Sequence, residues 1–447
     1  MSIFDGKRLT NETFKLDIER MRRGWYSDKY FENINRMLIA LSSENYSYSG
    51  EFHNLPDGIS PEEIAVGDIE VEVQWFTRRL GKTTVVGVDK ALAMLKHCTG
   101  YFDGDTFIDT SDKLEVWAVQ DGTIVRYDGD PTKVQPVIKV RGRYRDFALL
   151  ETPSLGILTR SSRVATNVYE TLVAANGKPV LFFPARFDVH EVQAADGYAY
   201  NIALQRFNRD HAHELGAFVS TDAQGDWWGG AGGGTVAHAA IASFLGDTAE
   251  AMMEFARILP AQIPRIALVD FNNDSVRDSL RVLEKLFAKY RELMDAGNKE
   301  EAQKYRLYGV RLDTSGSVRD VSVQPLGDPV LDLGVNPRLV FNVRQGLDHA
   351  WESWTMPDAW KDAAKDFCHR VKIVVSGGFN PEKIRKFEKL EVPVDIYAVG
   401  SYLFNNSNST TTDYTADVVR VKIHGEWIDM AKVGRKVGEN ENLERAW

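Results

Sequence analysis

Two short stretches near the C-terminal end carry the clearest chemical signal in the chain, "VVSGGF" at 374–379 and "YAVGSYL" at 397–403. Each is an apolar run that ends on small residues: Ser376, Gly377 and Gly378 in the first, Gly400 and Ser401 in the second. Backbone N–H groups left uncovered at a strand-to-helix junction can cradle a phosphate. Tight turns also need glycine, and one such turn would read that way; two in successive strand–helix units favour a phosphate site. In "GVRLDTSG", Arg311 and Asp313 stand two apart, on one face of a strand. There a guanidinium can hold phosphate oxygens while a carboxylate takes ribose hydroxyls or a metal ion. From spacing alone, a buried structural ion pair reads equally well.

Other stretches say less. "GGAGGGTVAH" at 229–238 packs five glycines into its first six positions and ends on His238. A lone histidine is more often structural than catalytic. In "DHAHE", His211 and His213 would diverge on a helix, so a solvated face is the better reading than a metal pair. "GDWWGG" could be a lid or a surface anchor, and "WYSDKYF" a core or dimer-interface stripe. Neither G-x-x-x-x-G-K-[ST] nor a strand-borne G-x-G-x-x-G occurs.

These groups need a scaffold that gathers them. From about Leu150 onward come continuous apolar runs, "KPVLFFPARF", "IPRIALVDF", "YGVRLDTSG", "VKIVVSGGF" and "VDIYAVGSYL", as in strands buried on both faces of a parallel sheet. Helical patterns separate several of them. Ser275–Met294 repeats apolar residues at three- and four-residue steps, with Asn273 or Asp274 placed to cap it, and Pro381 opens another helix. Arg186, Asp270, Arg311, Asp313, Gly377, Gly378, Gly400 and Ser401 all follow the apolar core of their runs. Groups at the ends of many strands converge on one mouth in a barrel, whereas an open sheet gathers them at one switch point. The fold expected is α/β, an irregular (β/α) barrel over 151–405.

Before it, 1–150 reads as an α+β domain with a leading helix, roughly Phe14–Leu41, followed by alternating strands such as "LEVWAVQDGTIVRY". After it, 406–447 reads as an extension whose β-hairpin, with His424-Gly425 near the turn, returns to the first domain. A chain of 447 residues exceeds one comfortable core, and 43% hydrophobic with 26% charged residues is ordinary for a globular protein. A net charge of -10 argues against nucleic acid or an anionic membrane as the main partner. No apolar run approaches the roughly 20 residues that cross a bilayer, and the N-terminus carries charges where a signal peptide needs an apolar core. Cys98 and Cys368 lack metal-type spacing and read as core thiols of a cytoplasmic protein.

Taken in order from about residue 26 to 435, "YSDKYF", "TRSSRVATNVYE", "FPARF", "FVSTDA", "GTVAHA", "ALVDFNND", "GVRLDTSG", "VVSGGF" and "YAVGSYL" resemble the nicotinate phosphoribosyltransferase family, related to nicotinamide and quinolinate phosphoribosyltransferases. The resemblance implies transfer of ribose 5-phosphate from phosphoribosyl pyrophosphate to nicotinate, coupled to ATP hydrolysis through a phosphorylated histidine, with Mg2+ on the phosphates. It also implies a head-to-tail homodimer with active sites between subunits. Carried over by motif, His238 is the phosphoacceptor and Asp270 its orienting carboxylate. Asp313 and Arg311 hold the ribose and nearby phosphates, and Ser376, Gly377, Gly378, Gly400 and Ser401 cradle the 5-phosphate. Phe183 and Tyr30, the latter from the other subunit, sandwich the pyridine, with Arg186 and Asp222 near it.

Val219 and Ala239 depart from the family pattern, which has glycine and serine there. Asp222 stands where nicotinate enzymes often carry Asn, and an acid would suit the amide of nicotinamide. Nicotinamide is therefore the alternative substrate. Quinolinate would call for a denser basic pocket, and a non-catalytic homologue would not need His238, Asp270 and Asp313 together. Residues 317–370 match no family motif and read as an insertion.

Overall fold

The computed structural model describes residues 3–447, which divide into two compact units. One holds the chain up to Tyr169 together with Tyr198–Asp210 and Asn405–Trp447; the other holds Glu170–Gly197 and His211–Phe404.

The first unit is built on a six-stranded antiparallel sheet. Its order is Glu426–Asp429, Tyr414–Ile423, Glu70–Thr77, Ile138–Arg143, Glu115–Ala118, Glu444–Arg445. Alternation sets the faces: Ile138, Val140 and Gly142 are buried while Lys139 and Arg141 between them are not. The inner face packs Val73, Trp75, Val116, Ile138 and Val140 against Ala91, Leu92 and Leu95 of the Val88–Cys98 helix. Fully burying each of the larger side chains contributes about 1.5–3 kcal/mol. The Trp75 indole N–H would be costly unpaired in that core; it donates to Ser154 Oγ at 3.0 Å. The expected hairpin is present: Tyr414–Ile423 and Glu426–Asp429 pair around His424 and Gly425, both at positive φ, as a tight turn matching strand twist requires. Tyr414–Ile423 lies along Glu70–Thr77, so the C-terminal strand does return to the N-terminal sheet.

The single leading helix expected over Phe14–Leu41 is instead three, Asn11–Phe14, Ile18–Arg22 and Lys29–Ser43. Lys15 and Gly24, at φ 49° and 71°, are left-handed and end the first two. The helical stretch is legible in the sequence and the breaks are not.

The second unit carries a parallel five-stranded sheet, in the order Val180–Phe182, Ile396–Val399, Lys372–Val375, Leu307–Leu312, Arg265–Leu268. Single parallel bridges from Phe182 to Val219 and from Val219 to Gly232 extend the arc. The sheet curls: Ile266 at one edge and Leu181 and Phe183 at the other join one cluster with Val374, Ile396 and Ala398. It is an incomplete barrel. Between Gly232 and the Arg265–Leu268 strand, a cavity of about 300 Å³ lined by Phe218, Ile263 and Ile266 stands where further strands would close it.

Ser275–Asp295 forms as expected, and Asp274 is its cap, accepting the Arg277 N–H. Residues 317–370 supply the helices Pro337–His349 and Lys361–His369, which pack on it; Phe287 stacks on Trp354 at 5.0 Å and meets Phe367 at 5.2 Å. Cys98 and Cys368 are free, buried thiols, pushed up by burial to about 11 and about 12. No helix among the described residues is long and apolar enough to cross a membrane.

Candidate active site

Five strands of the second unit end just before a residue singled out in the sequence. Phe183 follows Val180–Phe182, Asp270 lies two past Leu268, Asp313 follows Leu312, Ser376 follows Val375, and Gly400 follows Val399. Because the strands are parallel, these residues share one edge of the sheet. A cleft of about 580 Å³ opens there, lined by Phe183, Arg186, His238, Arg311 and Asp313 and by both glycine turns, Ser376–Gly378 and Gly400–Ser401.

His238 opens a short helix, His238–Ser243, at the exit of the glycine loop. Its Nε2 lies 3.0 and 3.1 Å from the two carboxylate oxygens of Asp270. Burial raises the Asp270 carboxyl above its usual range, while His238 draws it down and Asp313 pushes it up. The His238 side chain is 46% exposed and that of Asp270 only 9%, so the couple shows its imidazole to the cleft and hides its carboxylate. Asn272 Nδ2 donates to Gly246 O at 2.9 Å, tying the chain after that helix to the Asp270 loop.

Asp313 accepts the Ser376 hydroxyl at 2.7 Å and lies 4.0 Å from the Arg311 guanidinium. Burial lowers the Arg311 pKa, against the pull of Asp313 and Asp270, and its Nε has no hydrogen-bond partner among the described residues. The guanidinium lies 6.0 Å from the Phe183 ring centre, so a flat ligand at Phe183 would find a cation beside it. Arg186 rests on the Phe187 ring at 4.9 Å, and no carboxylate pairs with it among the described residues.

The glycines differ in purpose. Gly377 and Gly378 sit at φ 86° and 68°, and a Cβ added at Gly378 would meet nothing within 4 Å. Asn380 then caps the Pro381–Lys389 helix, accepting the Lys383 N–H at 2.8 Å. Gly400 is small for another reason: a Cβ there would lie 2.8 Å from the Phe187 ring.

Two expected site residues lie outside the cleft lining of this chain, one of them, Tyr30, expected only from a second copy. Asp222 does not line the cleft; it opens the Asp222–Gly225 helix and accepts the Gly232 N–H at 2.8 Å. Tyr30 belongs to the first unit, 57% exposed on the Lys29–Ser43 helix, with its hydroxyl donating to Asp28 at 3.3 Å. Within the second unit the ring partner of Phe183 is Phe218, at 5.8 Å. Trp228, read as a lid or anchor, lies over Gly230 with its indole N–H on Gln224 O. Ser220, Thr235, Phe187 and Phe379 line the cleft without having been singled out; Phe187 could have been found as the neighbour of Arg186. No group of three or more His, Cys, Asp or Glu gathers as a metal cage among the described residues, His211 and His213 included.

Residues 60–162 match the family model of the quinolinate phosphoribosyl transferase N-terminal domain. The chain is similar in structure to nicotinate-nucleotide pyrophosphorylase from Pyrococcus furiosus, with TM-score 0.61 and 23% identity over 95% of this chain and 81% of that one. It is also similar to human nicotinic acid phosphoribosyltransferase, with TM-score 0.50 and 15% identity over 89% of this chain and 75% of that one. No curated protein matches the chain in sequence. At these identities it is the fold that is shared, and the motif resemblance to pyridine phosphoribosyltransferases agrees with both the domain match and the fold.

Proposed function

We propose that the cleft transfers ribose 5-phosphate from phosphoribosyl pyrophosphate to the ring nitrogen of nicotinate, with ATP hydrolysis coupled through His238. One observation carries this reading. The His238–Asp270 couple, the Arg311–Asp313 pair and the open Ser376–Gly378 turn line or flank a single cleft at one edge of the sheet.

In the transfer, the bond from sugar C1 to the pyrophosphate oxygen breaks and the bond from C1 to the pyridine nitrogen forms. That nitrogen already carries a lone pair, so no general base is needed. The chain's work is to hold the partners and stabilise charge in an oxocarbenium-like state. The turn receives the 5-phosphate, Asp313 the ribose hydroxyls, and Phe183 with Arg311 the pyridine. Asp313 and Asp270 are the carboxylates that would stand near a magnesium ion carried in on substrate phosphates, where it would offset the charge of the departing pyrophosphate. With Nε2 held by Asp270, His238 Nδ1 is the nitrogen free to attack the γ-phosphorus of ATP; the P–N bond forms as the bond to ADP breaks. In the homodimer that the resemblance implies, Tyr30 would come from the second copy.

Nicotinate is favoured over nicotinamide because the argument for an amide rested on Asp222, whose carboxylate accepts the Gly232 N–H outside the cleft lining. Arg186 and Arg311 face one lining carboxylate, Asp313, a balance that suits a substrate carboxylate. The domain match keeps quinolinate as an arm of the test. Purified protein is given phosphoribosyl pyrophosphate and each pyridine in turn, with and without ATP, and products are identified by mass. Nicotinate mononucleotide is expected, with ATP turnover that falls to background in His238→Ala and a pyridine preference unchanged in Asp222→Asn. Preference for nicotinamide or quinolinate, or full ATP turnover in His238→Ala, would overturn the assignment.

A further inference from the structure

Lys383 occupies the third position of the Pro381–Lys389 helix, and its side chain turns back toward the turn that precedes the helix. Its Nζ lies 3.5 Å from the Gly377 carbonyl oxygen, 4.2 Å from the centre of the Phe379 ring and 5.9 Å from that of Phe387. Both rings are buried, and the half-buried Lys383 side chain lays its ammonium against them. Among the described residues no carboxylate pairs with it. Glu388 on the same helix is taken by Lys178 at 2.8 Å and by the Tyr397 hydroxyl. Asp313, across the turn, is held by the Ser376 hydroxyl and faces Arg311. Lys386 is the charged neighbour that acts on Lys383, and it repels.

We propose that Lys383 is the standing positive charge of the phosphate turn, an ammonium kept without a counter-ion behind Ser376–Gly378 until a phosphoryl group of the ligand supplies one. The inference rests on the proposed phosphoribosyl transfer and adds the residue that tunes it. Lys383 acts across the turn, as a positioning charge outside the lining of the cleft. Gly377 and Gly378, without side chains, keep the distance between ammonium and phosphate short. Burial without a counter-ion pushes the amine down to about 8. Binding of an anion restores the charged form, so ligand binding in mildly alkaline solution takes up a proton, and affinity falls as pH rises through that value.

Calorimetric titration of the full-length protein with phosphoribosyl pyrophosphate and Mg2+, at pH 7 and pH 8.5 in two buffers of different ionisation enthalpy, reads both effects. The wild-type protein should take up more protons at pH 8.5 than at pH 7 and bind more weakly there. Lys383→Met should bind about tenfold more weakly at pH 7 and lose the added uptake. Lys383→Arg should bind like the wild-type protein at pH 7 and keep that affinity at pH 8.5 without the added proton uptake, since a guanidinium does not titrate there. Lys386→Met should keep wild-type affinity at pH 7 and, with the repelling charge gone, take up fewer added protons at pH 8.5. In turnover, Lys383→Met should raise KM for phosphoribosyl pyrophosphate with kcat nearly kept. Wild-type affinity and proton uptake in Lys383→Met, or equal loss in Lys386→Met, would overturn the role of Lys383 alone. No binding by the wild-type protein would overturn the proposed function with it.

Discussion

The two glycine-rich segments at the cleft look alike as strings of letters and differ in what the missing side chains make room for. In 229–234 the protein fills the space at Gly230, Gly232 and Gly233 and leaves it open at Gly229 and Gly234. Gly229 needs φ 79°, Trp228 covers Gly230, a Cβ at Gly232 would lie 2.7 Å from the Thr221 carbonyl carbon, and one at Gly233 would lie 2.6 Å from the Phe218 ring. Asp222 and Val219 O then hold the Gly232 and Gly233 amides at 2.8 Å each. This loop is a packed edge of the arc. At Gly378 the space is left open, and Gly377 and Gly378 both stand at positive φ in front of a capped helix. Gly378 differs from the filled positions in that the room it leaves is open and borders the cleft.

Three substitutions test that contrast, beginning with the largest effect. Gly378→Val puts a branched side chain at φ 68° into the open turn. It should lower kcat/KM for phosphoribosyl pyrophosphate about 100-fold, mainly through KM, and a steady-state assay on protein shown folded by circular dichroism checks this. Gly233→Ala collides with Phe218 and should cost about 1–3 kcal/mol of stability, read as a lower denaturant midpoint, with activity per folded molecule largely kept. Gly234→Ala meets nothing within 4 Å; it should change stability by less than about 0.5 kcal/mol. If Gly233→Ala is silent and Gly234→Ala unfolds the protein, the packing account of the loop is wrong.

Local signals were legible in the sequence. Continuous apolar runs marked the parallel strands, a cap at Asn273 or Asp274 and Pro381 marked helix starts, and His424-Gly425 marked a hairpin, because each depends on a few adjacent residues. Placing chemistry just past the strands was enough to bring Asp270, Arg311, Asp313 and the turns together, and His238 was added by the family resemblance. What depended on distant partners was not legible. The destination of the Asp222 carboxylate was set by the fold of a loop ten residues away, the kinks at Lys15 and Gly24 by backbone conformation, and the seat of Lys383 by two rings that read only as core. A lysine in "PEKIRKFEK" looks like one more solvated charge until Phe379 and Phe387 are placed under it.

The central claim is that the open turn holds the ribose 5-phosphate while Phe183 holds the pyridine. A crystal structure of the protein soaked with phosphoribosyl pyrophosphate and nicotinate tests it directly. The 5-phosphate is expected within hydrogen-bonding reach of the Gly377 and Gly378 amides, with the ring on Phe183 beside Arg311. Phosphate density on the 229–234 loop with the Ser376–Gly378 turn empty, or a pyridine bound away from Phe183, would contradict it.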